Sequence, residues 1–126
     1  MNTMAGTKFS YNTGSVVMLK LIQTSENSAN ADILCKGRNE PFAVYGIHRE
    51  IGDEMLKQFT DKIPTFQFVN VNKKVVIAIS EVDFIMQRGC ILQIWFKVGD
   101  AVKFEFDMES GAVAAIEAYR AGVSIP

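Results

Sequence analysis

The chain is poor in the residues that most often carry chemistry: among 126 residues there are one histidine, one tryptophan, two cysteines and three prolines. A zinc site needs about four N or S ligands, and His48 with the widely separated Cys35 and Cys90 supplies too few. The two cysteines lack the close spacing of a redox or metal motif, so they read as buried thiols of a reducing compartment. No serine stands in a nucleophile elbow, and there is no Gly-x-Gly-x-x-Gly or Walker-type loop to cradle a phosphate. His48 is followed by Arg49 and Glu50, which leave a helix start on different sides, so it reads as an exposed or structural residue. Glu105 and Asp107 share a strand face at i, i+2, but a solvated pair is the plainer reading. With no acid, base and nucleophile brought together, the sequence points away from an enzyme and implies no metal and no cofactor.

Charge of one sign is lacking as well. Thirteen basic residues stand against fourteen acidic ones, a formal net charge of −1. That balance gives nucleic acid or an anionic membrane surface no general reason to approach. No run nears the roughly 18 consecutive apolar residues of a membrane span, and residues 1–14 hold no apolar stretch of signal-peptide length. A cytoplasmic protein is expected. Residues 1–14 are small and polar and read as a poorly ordered lead-in; residues 15–126 read as a single α+β domain.

What is present is alternation. Residues 64–107 form the centre of the chain. Phe66, Phe68, Ile77 and Ile79 share one face if a two-residue loop at Asn72 and Lys73 joins the strands, pairing Phe68 with Ile77 and Phe66 with Ile79. In the second hairpin a two-residue loop at Gly99 and Asp100 would set Phe96 against Lys103 and Ile94 against Glu105. A three-residue loop over 98–100 avoids this: it aligns Phe96 with Val102, Ile94 with Phe104 and Leu92 with Phe106, and places Trp95 beside Lys103. A strand over 83–87 lies between the hairpins. Upstream, strands are expected over 15–23, 31–36 and 42–47. In the first, both alternating sets are apolar.

From Arg49 the period changes: Ile51, Met55 and Phe59 recur every four residues, with Leu56 beside them, as one helical stripe. Gly52 weakens the first turn, which makes Asp53 a candidate start, and Asp53 and Lys57 are spaced to pair. Pro64 ends this helix. A last helix follows Asp107, a candidate N-cap, with Ala112, Ile116, Tyr119 and Val123 as its stripe and Gly122 as its C′ residue. The expected fold is α+β: a strongly curved antiparallel meander of about eight strands, open or partly closed into a barrel, with one helix inserted mid-chain and one C-terminal. The order resembles that of pleckstrin-homology barrels, which also end in a helix; the resemblance is one of topology and implies no activity.

The functional clue is a surplus of apolar side chains. Opposite the phenylalanine face lie Val69, Val71, Val76, Ile91 and Trp95. If the helices cover one sheet face, something must cover the other, since monomers seldom expose apolar patches beyond a few hundred Å². The expectation is a non-catalytic interaction module that self-associates through this face, as a dimer first, with Trp95 as anchor. The alternative is a small-molecule site, nucleotide-like in class, between sheet and helices, with Trp95, Lys103, Arg88 and Tyr45 at its mouth. No membrane partner is expected.

Overall fold

The fold is seen in a computed structural model that describes residues 13–123. Most of the expected poorly ordered lead-in lies outside the described residues; its last two residues open a short 3-10 turn, Thr13–Ser15. Eight strands follow: β1 (Val16–Gln23), β2 (Ser28–Cys35), β3 (Phe42–His48), β4 (Thr65–Asn70), β5 (Lys73–Ala78), β6 (Val82–Arg88), β7 (Ile91–Phe96) and β8 (Val102–Glu105). Helix α1 (Arg49–Lys62) is inserted after β3, and α2 (Glu109–Val123) follows β8. The class is α+β, as expected.

The strands do not form one meander or barrel. They split into a five-stranded sheet in the order β3-β2-β1-β5-β4 and a three-stranded sheet β6-β7-β8, antiparallel throughout. β1 is the middle strand of the larger sheet, which explains why both of its alternating sets are apolar. On one side Leu19 and Leu21 pack with Ala29, Val76, Ala78 and the α1 stripe of Met55, Leu56 and Phe59. On the other, Met18 joins Phe66, Phe68, Val75 and Ile77 against Leu92, Ile94 and Phe104 of the smaller sheet and Ala112 and Ala115 of α2. The molecule therefore has three layers: α1, the five-stranded sheet, then the small sheet with α2. The helices lie on opposite faces of the large sheet rather than on one.

The middle of the second core is aromatic. The rings of Phe68 and Phe104 meet edge to face at 5.1 Å, Phe66 meets Tyr119 at 5.2 Å, and Phe106 lies 5.7 Å from Phe68. Such pairs add about 0.5–1.5 kcal/mol each beyond the area they bury. Two polar ties join the layers at the edges: Asn70 Nδ2 donates to the Glu105 carbonyl at 3.0 Å, and Lys36 pairs with Glu81 at 3.3 Å.

Both hairpins keep the expected faces but slide in register. Asn70 pairs with Lys73, Phe68 with Val75 and Phe66 with Ile77, so the loop is Val71 and Asn72 rather than Asn72 and Lys73. A slide of this kind moves no side chain to the other face, so the apolar pattern could not resolve it. The choice is made by β1: Gln23 N donates to the Asn72 carbonyl at 3.2 Å, and Asn72 Nδ2 donates to the Gln23 carbonyl at 3.0 Å. The clamp leaves Val71 at φ 59°, in the left-handed region that a β-branched residue avoids. Likewise Ile94 pairs with Val102 and Leu92 with Phe104, two residues short of the expected register; the loop, residues 97–101, is still odd in length.

Helix α1 starts at Arg49, not Asp53. Gly52 is tolerated because it is a contact point: a Cβ there would lie 3.1 Å from Leu21 of β1. Lys57 pairs with Asp61 at 2.9 Å instead of Asp53. That hydrogen bond, reinforced by the charges of Asp61 and Glu54, raises the Lys57 pKa above the ordinary lysine value. α2 begins two residues beyond Asp107, so Asp107 is not its N-cap, and Gly122 lies inside its last turn, where a Cβ would come within 2.5 Å of Ile79. Of the expected stripe, Ala112 is buried, Ile116 and Tyr119 are half-buried, and Val123 is exposed.

Two substitutions check this architecture. Phe59, on the inner face of α1, is fully buried against the large sheet, and Phe59→Ala is expected to cost about 3–5 kcal/mol in urea unfolding. Val71→Gly should stabilise the fold by about 1 kcal/mol by relieving the left-handed valine; a lower urea midpoint for V71G would refute the strain.

Candidate functional site

The residues expected to form one apolar interface are divided among three places. Val76 is fully buried beneath α1 and can meet no partner. The physical reason is the central position of β5, which has a cover on each face. Val69 and Val71 are exposed, at 62% and 72%, on the α1 side of edge strand β4 and its turn. Trp95 and Ile91 are half-buried on the outer face of the three-stranded sheet. The four residues expected to frame a ligand are not together either. Tyr45 stands exposed on β3, the far edge of the large sheet, while Arg88, Lys103 and Trp95 belong to the small one.

The outer face of the small sheet is built in rows. Phe84 opposes Trp95; Met86, Gln93 and Lys103 form the next row; Arg88, Ile91 and Glu105 form the third. Leu92, Ile94 and Phe96 point inward into the core, so the pleat turns Ile91, Gln93 and Trp95 out. Phe84 is 56% exposed and its ring lies 5.2 Å from the indole. Trp95 therefore rests on Phe84 rather than under Lys103, because the slid register puts Gln93 opposite Lys103. An aromatic pair is left at one end of an open face, with a cation and an anion at opposite edges of the other end.

A second feature lies across the molecule. α1 packs on β1, β2 and β3 and leaves the β4 side of that face uncovered. Between the helix and β4–β5 is a cleft of about 340 Å³, walled by Leu21, Ala29, Val69 and Val71, with Arg49, Asp53, Lys73 and Lys74 around it. None of the expected ligand residues lines it. A wider hollow of about 490 Å³ continues along α1 past Leu56 and Thr60, sharing Asp53 and Lys74 with the first. On the opposite edge, Phe42 of β3 lies under the Arg38 guanidinium at 4.6 Å, a cation–π contact.

His48 has a structural task. Its Nδ1 accepts the Glu50 backbone N–H at 3.1 Å, capping α1 where Ser, Asp or Asn is usual. Cys35 and Cys90 are unbonded and half-buried. Among the described residues no three His, Cys, Asp or Glu side chains are grouped to hold a metal, and no helix is long and apolar enough to cross a membrane. The sequence does not join Arg49 to the adjacent Lys73 and Lys74, because the helix and strand that carry them are far apart in it. The one signal was a turn without glycine, Val71-Asn72-Lys73-Lys74, where a strained or clamped loop had to stand.

Fold and surfaces define a three-layer α+β protein with an open aromatic sheet face and a cationic cleft. No family model, curated protein or solved structure matches the chain.

Replacing the cap tests the role of the histidine. His48→Ala is expected to lower stability by about 1 kcal/mol and His48→Asn to retain it, measured by thermal or urea unfolding. Equal stability of all three proteins would show that the cap contributes nothing.

Proposed function

We propose that the protein is a non-catalytic interaction module that self-associates through the outer face of the three-stranded sheet. The observation that carries this reading is the exposed Phe84 ring paired with Trp95 on a face that also carries half-buried, apolar Met86 and Ile91, with Gln93 between them. Tryptophan and its aromatic neighbours contribute most where water is excluded from them. Val69, Val71 and Val76 have no part in this interface.

The arrangement of charge favours a second copy as the partner. A two-fold axis running roughly along β7, in the plane of contact, sets β6 of one protomer over β8 of the other. Trp95 then meets Trp95 of the partner subunit, and Arg88 meets the partner's Glu105, because Arg88 and Glu105 occupy the same row on opposite edges. An isologous contact must be complementary to itself, and this row meets that condition. Two sheets packed face to face keep their strands within about 30° of one another, which this axis allows.

Light scattering or native mass spectrometry at micromolar concentration is expected to give twice the 14.0 kDa chain mass. Trp95→Ala should weaken association by about 2 kcal/mol without altering the circular-dichroism spectrum. Arg88→Glu and Glu105→Arg should each weaken it about tenfold, and the two together should restore it. A strictly monomeric wild-type protein would overturn the reading.

A further inference from the structure

We infer that the cleft between α1 and the β4–β5 hairpin is a binding site for a small amphipathic carboxylate, with the carboxylate held by Arg49, Lys73 and Lys74 and the apolar tail laid against Val69, Val71 and Leu21. This site is on the face of the molecule opposite the proposed self-association surface and stands independently of it.

Four observations support it. The first is coverage. β1 is buried on both faces, but α1 packs mainly on β1, β2 and β3, so Val69 of β4 is 62% exposed beside that core. Lys74 rises in the same row, between Leu21 of β1 and Val69 of β4. A cation thus stands in the middle of an apolar strip, where an apolar residue would otherwise extend the core.

The second is charge. Three cations and one acid line the cleft, and among the described residues none of the four is in an ion pair. The nearby Lys57 is engaged by Asp61 and does not compensate Asp53. Arg49 lies on the first turn of α1 and Lys73 and Lys74 on the start of β5, so the cations approach from opposing walls. Arginine's planar fork matches a carboxylate and the lysines add point charge.

The third is size. A cleft of about 340 Å³ is at the lower end of the range for ligand sites, about 300–1,000 Å³, which suits a small molecule and not a folded segment. The fourth is strain. Val71 is held at φ 59° by the double hydrogen bond between Asn72 and Gln23, and this places its side chain at the cleft wall. Backbone outliers of this kind, costing about 1–3 kcal/mol, cluster at ligand clamps. A glycine at that position would relax the turn and remove the wall.

The test is a titration of the full chain with octanoate and, separately, with octanamide, followed by backbone amide shifts. Octanoate is expected to produce saturable shifts at Leu21, Ala29, Val69, Val71 and Asn72, and octanamide to bind at least about tenfold more weakly. Lys73→Gln with Lys74→Gln should weaken octanoate about tenfold, while Asp53→Asn, which removes a competing anion, should tighten it. These side chains are half-buried or exposed, so each variant's dispersed spectrum serves as its folding control. Equal binding of octanoate and octanamide, octanoate shifts confined to the Phe84 and Trp95 face, or no saturable shift at all would each overturn the inference. Loss of dimerisation in Trp95→Ala with octanoate binding intact would separate this site from the self-association surface.

Discussion

The structure depends on the need to cover a sheet from both sides. β1 and β5, in the middle of the large sheet, have apolar residues on each face, and a strand of that kind is stable only between two layers. Leu19 and Val76 require α1 on one side; Met18, Val75 and Ile77 require the small sheet and α2 on the other. Each cover is incomplete by itself. α1 is a single helix on a five-stranded sheet and leaves a strip on either flank: Phe42 and Val44 toward β3, Val69 and Val71 toward β4. The cleft is a direct result of that shortfall.

The second cover has the reverse arrangement. A three-stranded sheet can bury one face against the large sheet, but its other face then meets solvent. Inward residues Leu92, Ile94 and Phe104 satisfy the core, and the outward row is free to vary. It carries Phe84 and Trp95 where polar residues would suffice for solubility. The proposed self-association rests on that choice and on the placement of Arg88 and Glu105 at opposite edges.

Much of the fold was legible in local patterns. Alternation located the strands, the four-residue recurrence from Ile51 to Phe59 located α1, and the parity of both hairpins was right, in the second because burying Lys103 against Phe96 and Glu105 against Ile94 would have been costly. Register was not legible. A slide of two residues in a hairpin leaves the apolar set on its own face, so only contacts outside the hairpin, such as Gln23 with Asn72, choose between the alternatives. The role of His48 was hidden for a related reason: histidine is an unusual N-cap, and its ring accepts the Glu50 amide only once β3 delivers it to the helix start. Gly52, read as a weak point in a helix, is a point of close approach to Leu21.

The sequence by itself determined the class of the protein, the number and kind of its elements, and the surplus of apolar side chains on both sheet faces, because these follow from periods of two and of 3.6 residues within short windows. The tertiary structure alone decided that the surplus is divided: Val76 enclosed, Val69 and Val71 left at a cleft, Trp95 left on an outer face. That division depends on which strands pair across long separations, β1 with β5 above all. Such pairing is set by the energy of assembling two cores at once, a quantity with no trace in any single stretch of residues.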